Sequence, residues 1–105
     1  MQDIIYDLEG TQFIWDSDKY RKNFFKHKIT FEEAATVIIN PGTLYFEDKK
    51  HSKNEERLIA VGFSKDARFL TVCHCIRGDG MVRLISARRA TKSEQMVYDK
   101  DGDFI

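Results

Sequence analysis

The sequence predicts an α+β fold in which helices pack on one face of a small antiparallel β-sheet, with a further helix at the C-terminus. Three observations carry that reading. Two helix starts with good capping residues lie close together, at Asp16-Ser17 and at Thr30. From Thr43 to Ala87, apolar segments of strand length alternate with turn signals. The chain has 105 residues, 42% hydrophobic and 12% aromatic, which suits a single domain with one core.

Residues 4–6 and 12–15 are short apolar stretches around Glu9-Gly10; they form a hairpin, or only the second is a strand. Asp16 or Ser17 caps a helix running to about Lys26, with Tyr20 and Phe24 on one face. Thr30 and Glu33 make a capping box, with Ile29 as its staple, and Asn40-Pro41-Gly42 ends that second helix. The short gap between the helices makes them an antiparallel or crossed pair. Strands follow at about 43–46, 57–64, 68–76 and 81–87. A polar loop at 48–55, a turn at Lys65-Asp66-Ala67 and a hairpin turn at Arg77-Gly78-Asp79-Gly80 separate them. Thr91 and Glu94 form a second capping box for a helix over 91–98, and residues 99–105 read as a frayed tail. Trp15 reads as a core aromatic rather than a base-stacking platform, while Tyr98 and Phe104 suit either a base or the core.

Composition excludes several classes. Seventeen Lys and Arg balance seventeen Asp and Glu, and the hydrophobic content is too high for a disordered chain. No apolar run has the length of a membrane span, and the acidic start does not resemble a signal peptide. Two cysteines cannot staple a secreted mini-protein. The expectation is a soluble, cytoplasmic protein without a membrane partner. The zero net charge hides an asymmetry. Residues 1–18 carry five acids and no Lys or Arg, whereas residues 57–92 carry eight bases against Asp66 and Asp79. Six of those bases are arginine, whose planar fork matches phosphate oxygens, so the block reads as a localised anion site or as solvated strand ends.

Three segments, in order, resemble a known family. They are Trp15-Asp16, Asn23, Lys26-His27 and Ile29-Thr30-Phe31-Glu32-Glu33-Ala34; then Glu56-Arg57, Gly62 and Arg68; then Arg83-Leu84-Ile85-Ser86-Ala87-Arg88-Arg89-Ala90, Glu94 and Tyr98. Together they are similar to the BrnT family of bacterial type II toxins. The resemblance covers about 13–98, so 1–12 stands as an N-terminal extension of a single domain over 1–105. Where the family has glycine after Lys-His, this sequence has Lys28. The resemblance implies a RelE-like ribonuclease fold and cleavage of messenger RNA that inhibits translation. It also implies neutralisation by a BrnA-like antitoxin that binds operator DNA, the toxin meeting DNA only through it. The antitoxin contact is expected on the sheet and its Arg-rich face.

Cleavage of RNA without a metal or other cofactor uses the neighbouring 2′-hydroxyl as nucleophile. It needs a base for the hydroxyl proton, an acid for the leaving 5′-oxygen and cations for the phosphorane. The candidates for these roles are Lys26, His27, Glu56, Arg57, Arg68, Arg83 and Arg88, with Arg77, Arg89 and Lys92 for RNA contacts. His27 suits proton transfer by residue type, or stabilises a helix C-terminus. Glu56 and Arg57, adjacent on a strand, point to opposite faces. Arg83 lies on an apolar strand face, so it is ion-paired or lines a cleft, and the cleft is favoured. Arg88 faces the other way with Ser86 and Leu84, although a bulge at the strand end redirects such a residue. Cys73-His74-Cys75 is not read as a metal site, because the cysteines share one side of a strand and the histidine takes the other. His51, alone in the polar loop, is assigned no role. The competing functions are a catalytically inactive antitoxin-binding co-repressor and a non-catalytic RNA-binding protein.

Overall fold

The computed structural model describes residues 2–52 and 55–102. In chain order the elements are β1 (Asp3–Leu8), β2 (Thr11–Asp16), α1 (Ser17–His27), α2 (Phe31–Ile39), β3 (Leu44–Glu47), β4 (Leu58–Phe63), β5 (Phe69–Ile76), β6 (Val82–Arg89) and α3 (Lys92–Gly102). A 3₁₀ turn at Lys49–His51 interrupts the polar loop before β4. The strands form one sheet in the order β1-β2-β6-β5-β4-β3. The expected α+β architecture is present, with one correction. The sheet is mixed rather than antiparallel, because β2 pairs in parallel with β6 through Phe13↔Val82 and Ile14↔Arg83. Tight turns force antiparallel pairing only between consecutive strands, and β2 reaches β6 through a crossover that holds everything between them. Residues 1–12 hold β1, paired with β2 across Glu9 (φ 51°) and Gly10 (φ 86°), a hairpin turn with both central residues in the left-handed region. The last helix extends beyond the expected end at Tyr98. Helix α3 runs to Gly102, and Phe104 lies outside the described residues.

Helices α1 and α2 cover one face of the sheet. Phe13 and Trp15 of β2, Leu70 and Val72 of β5, and Leu84 and Ala87 of β6 meet Ile29, Phe31, Ala34 and Val37 in the core. Trp15 is buried among Tyr6, Tyr20 and Phe31, with ring centroids 5.6–5.8 Å apart, so it is a core aromatic. The junction between the helices depends on Lys28, which takes the left-handed conformation (φ 59°, ψ 32°) and donates its N–H to Phe24 O at 2.8 Å. A lysine thus fills the place where glycine would cap without strain.

Asn23 explains how α1 is locked to the sheet. Strand β2 pairs with β6 only as far as Ile14↔Arg83, which leaves the edge of β6 open beyond it. The Asn23 amide completes that edge. It accepts from Ala87 N–H at 3.0 Å and donates to Ala87 O at 2.9 Å, and it also donates to Ile29 O at 3.2 Å. Without this side chain, two buried backbone groups of Ala87 would lose a partner, at about 1–3 kcal/mol each.

Helix α2 is tied to the β4–β5 turn by Glu33. Thr30 caps the helix, accepting from Glu33 N–H at 3.1 Å. Only half of the expected capping box forms, because the Glu33 carboxylate turns inward instead. It takes both arms of the Arg68 guanidinium, through Nε at 2.9 Å and through the NH2 group, and accepts from Ser64 Oγ at 2.6 Å. Arg68 above all, helped by Ser64, holds this 4% exposed carboxyl below the usual carboxylate range against the cost of its burial. Ser64 Oγ also accepts from Asp66 N–H and Arg68 N–H, which shapes the tight turn in which Ala67 sits at φ 60°.

Helix α3 lies on the opposite face of the sheet. Tyr98 packs against Phe63 and Phe69, at centroid distances of 5.9 and 4.9 Å, and so covers the sheet. Among the described residues no helix is long and apolar enough to cross a membrane.

Candidate active site

A bulge in β6 decides which arginines share a surface. Cys73 pairs with Ser86 but His74 pairs with Leu84, so Ile85 is an extra residue on β6. Side chains alternate along a strand, and one inserted residue shifts the alternation. Leu84 and Ala87 therefore both enter the core, while Arg83, opposite Cys75, and Arg88, opposite Thr71, emerge on the same open face. The expectation of opposite faces fails for that reason.

Beside α3, this open face holds a cleft of about 270 Å³ over β4, β5 and β6, lined among others by Asp48, His51, Arg57, Thr71, Cys73 and Arg88. The polar loop shapes its rim. Asp48 N–H donates to Arg57 O at 2.8 Å, Arg57 N–H to Ser52 Oγ at 2.9 Å, and Ser52 Oγ to Asp48 O at 2.6 Å. The 3₁₀ turn brings His51 back over Asp48, with Nδ1 2.8 Å from Oδ2. That contact leaves Nε2 directed elsewhere and fixes the ring. Arg57 precedes β4 instead of lying on it, so the opposite-face argument for Glu56 and Arg57 does not apply; Glu56 is exposed and Arg57 is half-buried. The Arg57 Nε is buried without a hydrogen-bond partner, and among the described residues this guanidinium makes no salt bridge. Burial pushes the Cys73 thiol up, against the opposing pull of Arg57 and Arg88, so the thiol floor of the cleft is neutral.

Arg88 is held from α3. Its two terminal nitrogens donate to Glu94 Oε1 at 2.8 Å and Oε2 at 2.9 Å, and Thr71 Oγ1 donates to Oε1 at 2.9 Å. Glu94 also completes the expected capping box, accepting from Thr91 N–H at 2.7 Å while its own N–H donates to Thr91 Oγ1 at 3.2 Å. Arg88 first, and then the Thr91 and Thr71 donors, hold the Glu94 carboxyl down to about 2, against its burial. A depressed carboxyl stabilises the fold above its ordinary value of 4.5 and loses that contribution as pH falls towards 2. Hydrogen exchange should therefore show α3 losing protection across that acid window. The variant Glu94→Gln should abolish the step, and an unchanged acid profile in the variant would refute the assignment.

Over residues 15–94 the sequence matches the family described as the ribonuclease toxin BrnT of type II toxin-antitoxin systems. The chain belongs to the BrnT family. The crystal structure of the Brucella abortus ribonuclease toxin BrnT is similar in fold, at a TM-score of 0.59 and 24% identity over 76% of this chain and 96% of that one. No curated protein matches the chain. The BrnT match starts at Trp15, so β1 lies outside it, and it ends at Glu94, the partner of Arg88.

Within this BrnT fold, only Arg57 and Arg88 of the sequence candidates line the cleft. Arg68 is committed to Glu33 on the helix-covered side of the sheet. Arg83 lies further along the open face, 4.0 Å from Asp3. Lys26 and His27 end α1 and do not line the cleft. Arg77 pairs with Asp79 at 3.2 Å in the β5–β6 turn, Arg89 is exposed at the end of β6, and Lys92 is exposed at the start of α3. His74 is buried on the helix side, away from both cysteines' face. Sequence reasoning missed His51 and Asp48. Their spacing, Asp-x-x-His, was the available signal, because a single helical turn brings i and i+3 together.

Proposed function

We infer that this chain is an endoribonuclease that cleaves messenger RNA without a metal and so inhibits translation, and that a BrnA-like antitoxin neutralises it. The observation that carries the reading is Arg57, a half-buried cation with an unpartnered Nε, in one cleft with an aspartate-held histidine. Arg57 receives the scissile phosphate and stabilises the charge that grows on the phosphorane. His51 takes the proton of the 2′-hydroxyl as its oxygen attacks phosphorus; the P–O5′ bond breaks and the 5′-oxygen takes a proton from solvent, giving a 2′,3′-cyclic phosphate and a 5′-hydroxyl. Arg88, neutralised by Glu94, shapes the wall of the cleft and adds donors near the phosphate. Membership of the BrnT ribonuclease-toxin family agrees with this chemistry.

The test is incubation of the purified chain with a single-stranded RNA, with analysis of the new ends. Cyclic phosphate and 5′-hydroxyl termini are expected. Intact RNA in the presence of folded protein would overturn the assignment. Asp48 acts through His51 as a positioning residue, so Asp48→Asn should lower the cleavage rate by roughly tenfold or more and change its pH profile. An unaltered rate and profile would remove Asp48 and His51 from the mechanism.

A further inference from the structure

We propose that the free edge of β1 is a second docking site for the antitoxin, which adds there as a seventh strand; the proposal rests on the toxin-antitoxin reading above. β1 is a terminal strand of the sheet, six residues long, with no proline, lysine or bulge to blunt it. Ser17 N–H donates to Gln2 O at 2.8 Å, which fixes the phase of the β1–β2 ladder. Even-numbered residues bond inward, so Asp3, Ile5 and Asp7 turn their backbone N–H and C=O groups outward. The same three side chains lie on the open face, and Ile5 is 62% exposed.

Charge selects the occupant. If two copies paired edge to edge about Ile5, Asp3 would face Asp7 of the other copy; about Tyr6, it would face Glu9. Like charges directly opposite are unfavourable; Arg83, 4.0 Å from Asp3, offsets one of them, but among the described residues Asp7 makes no salt bridge. A strand with basic residues opposite Asp3 and Asp7 and an apolar residue opposite Ile5 fits instead. On the other side of β1, a cavity of about 260 Å³ lined by Ile4, Trp15, Tyr20 and Glu32 would take an alternate side chain of that strand. Strands are spaced about 4.8 Å apart, so an arm continuing across the open face would reach the cleft about 20 Å away.

The experiment uses the full chain and the protein encoded beside it in its operon. Ile5→Pro removes an outward N–H and spares the inner ladder, and Asp3→Lys with Asp7→Lys reverses the charge. Each should weaken the complex by roughly tenfold or more, while growth arrest by the toxin alone is kept. In the wild-type complex the amides of Asp3, Ile5 and Asp7 should gain exchange protection. Normal affinity of both variants, or unchanged exchange at these amides, overturns the edge site while leaving the toxin-antitoxin reading intact. Protection of the same amides without the partner, at high concentration, replaces it with self-pairing. A chain that neither arrests growth nor binds the neighbouring protein overturns both.

Discussion

Replacing Arg57 by alanine should lower RNA cleavage by about 10²–10³-fold, the loss found when a preorganised donor to a developing oxyanion is removed. The fold should be unaffected. Arg57 makes no salt bridge among the described residues, and its Nε is already unsatisfied. Removing it relieves a buried donor instead of orphaning a partner. Arg57→Lys keeps the charge and loses the fork, so it should fall between the two. The decisive comparison pairs single-turnover cleavage rates with thermal midpoints. Full activity in Arg57→Ala would place the phosphate elsewhere on the open face, with Arg83 as the next candidate.

Arg68→Ala should do the reverse. It leaves the Glu33 carboxylate buried with Ser64 as its remaining side-chain partner, and breaking one side of such a pair costs about 3–5 kcal/mol. In a protein of this size that is a large share of the total stability. Urea unfolding should show the loss directly. Growth arrest should disappear because the chain unfolds, and cleavage should return under conditions that restore folding, as it should not for Arg57→Ala. Glu33 titrates below the usual carboxylate range, so the pair contributes fully at neutral pH and weakens as acid protonates it. Near-normal stability in Arg68→Ala would show that Ser64 and water suffice for Glu33.

The two arginines look alike in the sequence, and the contrast shows what was legible there. Element order was readable because capping residues, Asn-Pro-Gly and glycine-containing turns act locally; Thr30, Thr91 and Asp16 all cap as expected. Partners in space were not. Glu33 fits a capping box by spacing, yet a buried cation competes for its carboxylate and wins. The face of Arg88 depends on Ile85, one extra residue whose presence is defined only by the pairing of β5 with β6. The parallel β2–β6 contact joins segments with no turn between them. His51 is unremarkable in a polar loop until the 3₁₀ turn sets it against Asp48. Neighbourhood chemistry is readable from a linear chain; long-range chemistry appears once the sheet is assembled.

The Asn23–Ala87 clasp and the β2–β6 pair also set a timetable for synthesis. Both join the first quarter of the chain to the last of the described strands, the clasp across 64 positions. Contacts that distant form late, because the intervening chain must first be brought together. On the ribosome the N-terminal hairpin and α1 emerge long before β6 exists, and they wait without their sheet. Arg88 and the clasp partner Ala87 are translated almost together. The cleft and the scaffold that supports it are thus completed in the same final stretch of translation, and a truncated product has neither.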